Sequence, residues 1–218
     1  MTFQEIKNDP KLRTYIKASD DCMVALGYTE HSFSHVGLVA EKAGRLLEDL
    51  GFDEKNAFLA RVAGYLHDIG NLVNRVEHSQ SGAILAMHLM EGWGFPPEDI
   101  ALVVSAIGNH DEGTGTPVNS IAAALILADK SDVRRSRVRE KDLHDFDIHD
   151  RVNYSVEKSE LSVCKDEAEI HLRLTVDTAV SPVMDYFEIF LDRMVLCRQA
   201  AEKLGLAFRL FINEQSLL

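Results

Sequence analysis

The segment that most constrains the fold of this 218-residue chain runs from Ile121 to Asp129, because every residue before the final Asp is apolar. A helix that has no polar face is not stable at a protein surface, so this helix is expected at the centre of a helical bundle. Asp129 would then end the central helix as its first polar side chain. The segment predicts a mainly α-helical core with a carboxylate at one end of its middle helix.

Five further helices are predicted around this central one, because apolar residues recur at helical spacing between turn signals. Asp9-Pro10 is typical of a helix start, and Asp53 is typical of a cap. The predicted helices cover about residues 10–27, 31–50, 53–66, 79–91 and 97–110. The fold class that we predict is therefore a mainly α-helical bundle with a small C-terminal α+β appendage.

The sequence pattern changes after Ser131. A basic segment comes first, and residues 142–150 are predicted to be a partly ordered connection. From residue 151 onwards, alternating apolar residues predict a hairpin, a long helix that begins at Pro182, and a final strand. We therefore predict a helical domain over residues 1–140, followed by a connection and a small α+β (ββαβ) subdomain over residues 141–218.

Composition limits the partners and the location. A formal net charge of −12 argues against binding to duplex nucleic acid or to an anionic membrane surface. No stretch has the roughly 18 uncharged apolar residues that a membrane span needs, and the N-terminus does not resemble a signal peptide. The three cysteines lie far apart without metal-type spacing, which is typical of reduced thiols. We expect a cytoplasmic protein, and a homodimer is compatible with the sequence.

Several imidazoles and carboxylates lie at or near the ends of the predicted helices. An adjacent His-Asp pair alone more often marks a capped helix end than a metal site. A larger set that converges is different, because a bound cation offsets the cost of burying such groups. The candidate ligands are His35, His67, Asp68, His78, His110 and Asp129.

The order of four of these residues resembles a known family. His35, then His67-Asp68 thirty-two residues later, then Asp129 is similar to the ligand pattern of the HD-domain metal-dependent phosphohydrolases, over about residues 28–135. The resemblance implies that the predicted bundle is an HD-type, all-helical core and that residues 1–140 are a metal-binding domain, in which these four residues hold one metal ion.

The resemblance extends to the dinuclear branch of that family, which includes cyclic-dinucleotide phosphodiesterases. His78 and His110 are similar to its two further histidine motifs, which implies a second ion that Asp68 bridges to the first. The chain departs from the family pattern in three places. The usual Lys after His-Asp-Ile-Gly is Asn71, a paired histidine is reduced to Asn109-His110, and residues 113–117 lack a clear Gly-Tyr-Pro signature.

Such a site would make the chain a metal-dependent phosphoric ester hydrolase. Two cations that share Asp68 would lower the pKa of a bound water and supply hydroxide for in-line attack on phosphorus. The substrate would be a nucleotide or another small phosphoester. The resemblance implies two metal ions, and the imidazole-rich ligand set suits divalent transition metals, with iron or manganese favoured and nickel, cobalt or zinc also compatible.

Further candidates surround the predicted ligands. His31 lies four residues before His35, on the same face of the predicted helix. It could be a metal ligand, a catalytic proton donor to the leaving group, or a residue that caps the helix. Four basic residues that follow the last ligand could bind a substrate phosphate, although a solvated basic loop is an equal alternative. These residues are Lys130, Arg134, Arg135 and Arg137.

Two other functions fit the same residues. One is a mixed-valent di-iron oxygenase on the same helical scaffold. The other is a signalling module that binds metal and nucleotide with little turnover. No Gly-x-Ser-x-Gly sequence and no phosphate-binding Gly-rich loop followed by Lys-Ser/Thr is present, so a serine hydrolase or an NTPase of that kind is not predicted.

Overall fold

The computed structural model describes residues 1–139 and 146–217, and within these ranges the chain is mainly helical. The helices are Phe3–Asn8 (α1), Pro10–Ala25 (α2), Phe33–Asp49 (α3), Glu54–Leu66 (α4), His78–Gly92 (α5), Pro97–Gly108 (α6), Ser120–Lys130 (α7), Ile148–Ser155 (α8) and Val183–Lys203 (α9). The strands are Val156–Cys164 (β1), Glu169–Val176 (β2), Ala207–Ile212 (β3) and Gln215–Ser216 (β4). Of the helices described, none is long and apolar enough to cross a membrane. The predicted fold class is confirmed.

Helix α7 is the central element of the bundle, as its sequence predicts. Every residue from Ile121 to Ala128 is fully buried, because α3, α4, α6 and α9 all pack around it. Burial on all sides explains why no polar residue interrupts the segment. The end of α7 therefore places Asp129 among the ends of its neighbours.

Two helix boundaries differ from the predicted ones in ways that concern the site. Helix α3 begins at Phe33, because the Ser32 hydroxyl caps it by accepting a hydrogen bond from Ser34 N at 3.2 Å. His31 therefore precedes the helix. The prediction that it shares a helical face with His35 is wrong. Helix α6 ends at Gly108, so His110 lies in the segment beyond it.

The C-terminal part contains the predicted hairpin, long helix and strand, together with two elements that were not predicted. Strands β1 and β2 are antiparallel, β3 returns parallel to β2 after α9, and β4 adds a short edge. Helix α8 occupies part of the predicted connection, since the Asp147 carboxylate caps it by accepting from Asp150 N at 2.8 Å.

The helical and C-terminal parts share their hydrophobic interior. A single cluster of buried residues runs from Ile6 through α7 to Ile212, and α9 packs directly on α7. The predicted domain boundary at residues 140 and 141 lies outside the described residues. The packing nevertheless brings α9 beside the end of α7 at which Asp129 lies.

Candidate metal centre

Five segments bring the six predicted ligands into one buried cluster. They are the first turn of α3, the end of α4, the start of α5, the segment after α6, and the end of α7. Five of the six residues are at most 4% exposed, and the Asp129 side chain is 12% exposed. Burying so many ionisable groups together is costly unless a cation or a proton compensates them.

One half of the cluster is formed by His35, His67 and Asp129. The Nε2 atoms of the two histidines are 3.3 Å apart, and His35 Nε2 lies 3.3 Å from Asp129 Oδ1. His67 Nε2 lies 3.7 Å from the same oxygen. One ligand atom from each of the three residues falls within 4.8 Å of the others, a spacing that can hold a metal ion.

The other half is formed by Asp68, His78 and His110. The Nε2 atoms of the two histidines are 3.2 Å apart, and His78 Nε2 lies 3.7 Å from Asp68 Oδ1. Asp68 and His110 also form a compact group of ligand atoms with His67. His67 and Asp68 thus lie between the two halves.

The Asp68 carboxylate faces both halves with different oxygens. Oδ2 lies 3.4 Å from His35 Nε2 and 3.3 Å from His67 Nε2, whereas Oδ1 faces His78. Oδ2 is buried and receives no hydrogen bond from any of the residues described. A buried carboxylate oxygen without a donor is the arrangement expected of a ligand whose partner is a cation.

All four histidines are oriented through Nδ1, so that Nε2 faces the centre. The Nδ1 partners are Asp132 Oδ2 at 2.7 Å for His35, Gly64 O at 2.9 Å for His67, Arg75 O at 3.1 Å for His78, and Ile107 O at 2.6 Å for His110. An Nδ1–H donated to such an acceptor leaves the Nε2 lone pair free, which is typical of metal-binding histidines. Lone pairs that converge at 3.2–3.3 Å repel one another unless a cation or a proton lies between them.

Two glycines allow the backbone approaches that build this cluster. A Cβ atom at Gly64 would lie 2.7 Å from Ala40 Cα, so the absence of a side chain lets α4 pack closely against α3. A Cβ atom at Gly70 would overlap the carbonyl oxygen of His78 and lie 2.5 Å from Gly82 N. Gly70 therefore permits the start of α5 to lie against the turn that follows Asp68.

Electrostatics divides the histidines into two kinds. Burial holds the pKa of His78 and of His110 below the ordinary imidazole value, so both rings are neutral. Burial and Arg137 also oppose protonation of His35, but its hydrogen bonds to nearby carboxylates outweigh them and raise its pKa to about 10. Without a metal, a proton on His35 supplies the positive charge that these carboxylates require; a metal ion would replace it.

The carboxylates remain ionised despite their burial. Burial opposes ionisation of Asp68, but the neighbouring imidazoles, His67 foremost, outweigh it and hold its pKa well below the usual range. Burial likewise opposes ionisation of Asp129, and the ammonium of Lys130 outweighs it, again leaving a low pKa. Ionised carboxylates and imidazole lone pairs are the donors that divalent transition metals prefer, so the residues fit such ions.

His31 lies beside the cluster rather than within it. Its ring centroid is 5.6 Å from that of His35, and its Nδ1 lies 2.7 Å from Thr29 O. Burial holds its pKa well below the usual value, so the ring is neutral and its Nε2 accepts from Arg137 Nη2 at 3.4 Å. A catalytic role for His31 stays a prediction.

The four predicted phosphate-binding residues all have protein partners. Lys130 is buried between Asp129 Oδ2 at 2.8 Å and Glu112 Oε2 at 3.2 Å, and Arg134 pairs with Glu30 Oε2 and Asp132 Oδ1, each at 2.9 Å. Arg135 lies over the Tyr154 ring with its guanidinium 4.5 Å from the centroid. Arg137 donates to the backbone carbonyls of Glu30 and Asp132. Phosphate binding by these residues stays a prediction, and Lys141 of the same basic segment lies outside the described residues.

Three residues that support the centre had no assigned role in the sequence analysis. Asp132 holds His35, Asn71 Nδ2 donates to the Asp68 carboxylate at 3.1 Å, and Glu112 pairs with Lys130. Asp132 lies three residues after the candidate ligand Asp129, and this spacing is the sequence signal that could have identified it. Asn71, which stands where the family usually has Lys, orients the ligand that lies between the two halves.

Replacing Asp132 with Asn should weaken metal binding by about 10- to 100-fold, the range seen when the carboxylate behind a metal-binding histidine is changed. The substitution keeps the size of the side chain but removes the charge that stabilises and orients His35. Competition with a chromophoric chelator would measure the affinity. Asp20→Asn is a control, because Asp20 contacts Arg139 and the backbone N–H of His31 rather than the side chain of a candidate ligand. Equal affinities in both variants would contradict the assignment.

A further group of metal-type donors lies on the β1–β2 hairpin. Cys164, Glu167 and His171 each place one donor atom within 4.8 Å of the others. Their separation in sequence did not suggest a site, and the hairpin brings them together. His171 Nε2 already pairs with Glu169 Oε2 at 2.8 Å, so this group lacks the converging free lone pairs of the main cluster.

The fold and the cluster together define a helical protein with a buried, imidazole-rich centre of metal-type ligands. The model of the HD domain matches residues 32–152, more than half of the chain. The chain therefore belongs to the HD domain family, which confirms the resemblance inferred from the sequence.

Several known proteins are similar to this chain. An uncharacterized protein of Methanocaldococcus jannaschii, MJ1020, is 29% identical over 185 residues, which cover 74% of this chain and 71% of that protein. Ribonuclease Y of Acholeplasma laidlawii is 30% identical over 119 residues, and that of Thermus thermophilus is 33% identical over 120 residues. Each of these matches covers 55% of this chain but only 21% and 19% of the respective ribonuclease.

One solved structure is also similar. It is the crystal structure of a predicted HD superfamily hydrolase from an uncultured Thermotogales bacterium, which is 28% identical to this chain. The match has a TM-score of 0.45 and covers 62% of this chain and 75% of the other.

Proposed function

We propose that the protein is a metal-dependent phosphohydrolase that cleaves a nucleotide or another small phosphoester. The observation that carries the proposal is the convergence of four Nδ1-anchored histidines and two ionised carboxylates in one buried cluster. His35, His67, Asp68 and Asp129 would hold one divalent ion, and His78 and His110 would hold a second that shares Asp68. Bound there, the ions would supply hydroxide near neutral pH and stabilise charge on phosphoryl oxygens.

The residues around the ligands support this reaction through position and charge. Asn71 fixes the carboxylate of Asp68 by donating to it, which keeps its two oxygens directed at different histidines. Lys130 places a buried positive charge against Asp129. The centre is thereby preorganised, so that little rearrangement would be needed when charge develops on a substrate.

Hydrolysis by protein loaded with each of several metals would test the proposal. Metal-free protein would be loaded anaerobically with iron, manganese, cobalt, nickel or zinc. Each form would be assayed against p-nitrophenyl phosphate, bis(p-nitrophenyl) phosphate, a set of nucleoside phosphates and a short oligoribonucleotide, which the similarity to ribonuclease Y makes a relevant phosphodiester. We expect metal-dependent release of product from at least one of them.

The same experiment separates the other two candidate functions. Two iron ions per chain, oxygen consumption and no phosphoester turnover would replace the proposal with a di-iron oxygenase. Stoichiometric binding of metal and nucleotide without turnover would replace it with a signalling module.

A further inference from the structure

A cavity of about 620 Å³ lies between the helical core and the C-terminal elements. On the core side it is lined by His31 and Glu112, both of which lie next to candidate metal ligands or their partners. On the other side, α8 and α9 supply its wall, including Asn153, Phe190 and Arg193. The cavity therefore reaches residues that lie beside the candidate ligands, and one of its walls comes from residues after the last candidate ligand.

Arg193 connects this wall to the centre through a row of charges. Its Nε donates to Glu112 Oε1 at 2.8 Å, and the other carboxylate oxygen of Glu112 pairs with Lys130 Nζ at 3.2 Å. Lys130 in turn pairs with the candidate ligand Asp129 at 2.8 Å. Three ion pairs thus separate Arg193 from the metal centre.

The guanidinium of Arg193 is held in place with most of its donors unused. It lies over the Phe190 ring, 4.1 Å from the centroid, which fixes its plane. Within the described part of the chain, Nε is the only atom of Arg193 with a hydrogen-bond partner. Its Nη groups therefore retain the forked geometry that binds a phosphate or carboxylate through two hydrogen bonds.

The other two arginines of the cavity are less suited to this task. Arg137 uses Nε, Nη1 and Nη2 on the backbone carbonyls of Glu30 and Asp132. Arg75 has Nη1 3.2 Å from Nε2 of the candidate ligand His78, so it belongs to the surroundings of the centre itself.

We propose that α9 completes the substrate-binding site and that Arg193 binds the anionic group of the substrate in this cavity. The inference rests on the proposed function and adds to it a residue from outside the ligand motifs. It also gives the C-terminal unit a role, namely to supply one wall of the site.

The test compares Arg193→Met, Arg193→Lys and the control Arg198→Met, which changes an exposed arginine on the same helix. With a phosphoester that the wild-type protein hydrolyses, Arg193→Met should raise KM, and the inhibition constant of inorganic phosphate, by about 10- to 100-fold, as loss of charge-assisted hydrogen bonds predicts. The kcat value and the metal content should change little. The KM and the phosphate inhibition constant of Arg193→Lys should lie between those of the wild type and of Arg193→Met, because lysine keeps the charge but lacks the forked guanidinium. Arg198→Met should match the wild type.

Several results would overturn the inference. One is an unchanged KM and phosphate inhibition constant in Arg193→Met. Another is a lower kcat and metal content at constant KM, which would give Arg193 a purely structural role. If Arg193→Met does not fold, an unchanged KM in Arg193→Lys has the same meaning. If the wild type hydrolyses no phosphoester, the proposed function fails. Whether Arg193 binds an anion is then tested separately, by calorimetric measurement of the affinity of the metal-loaded wild type and variants for inorganic phosphate.

Discussion

Replacing Asp68 with Ala is expected to abolish tight metal binding and to lower phosphoester hydrolysis by about 1,000-fold or more. The substitution removes the carboxylate whose two oxygens face the two halves of the centre. It also leaves the Nε2 atoms of His35, His67 and His78 without the anion that lies between them. Metal content by elemental analysis and turnover with the best substrate would measure both effects.

The helical fold should survive this change, because Asp68 contributes to the core chiefly through its backbone. Its carbonyl accepts from Ser19 Oγ at 2.9 Å, and an Ala retains that bond. Far-UV circular dichroism should therefore match the wild type. Asp99→Asn is a matched control, since Asp99 is a buried carboxylate paired with Lys55 outside the cluster. Full metal stoichiometry in Asp68→Ala would refute the shared-ligand arrangement.

Replacing Gly70 with Ala should destabilise the protein by about 2–3 kcal/mol, the cost of forcing extra volume into a packed interior. The added Cβ would overlap His78 O and press against Gly82 N, so α5 must move away from the turn after Asp68. Because His78 is the first residue of α5, this movement should also weaken binding of the ion that it would share with His110. Urea unfolding and metal titration would report the two effects.

Gly37→Ala is the matched control for the glycine prediction. Gly37 lies inside α3, and an added Cβ would meet no atom within 4 Å. Ala in a helix is favoured over Gly by about 1 kcal/mol, so this variant should be more stable than the wild type and bind metal normally. If Gly70→Ala behaved like Gly37→Ala, the close approach of α5 would not be needed for the centre.

The central part of the fold could be predicted from sequence because its signals are local. The uninterrupted apolar run of α7 requires burial on all sides, and the caps at Asp9 and Asp53 mark helix starts through hydrogen bonds to residues three positions later. The candidate ligands could be found for the same reason, since they lie near helix ends and follow a recognisable order. The roles of these ligands are still predictions.

Other features depend on contacts between residues far apart in sequence, and no local pattern reveals them. The prediction that His31 lies within α3 was wrong, because the Ser32 hydroxyl caps the helix and α3 begins two residues later than predicted. Asp132 contacts His35 from 97 residues away, and Arg193 contacts Glu112 from 81 residues away. Such pairs follow only from the packing of whole elements.

The position of α9 also bears on how the protein is made. Every candidate ligand lies at or before Asp129, whereas the helix that carries Arg193 begins at Val183 and is anchored by strands on both sides of it. On the ribosome the N-terminal part of a chain is available for folding first. The order of the elements would thus permit a metal ion to reach the candidate ligands during synthesis, before α9 packs against α7.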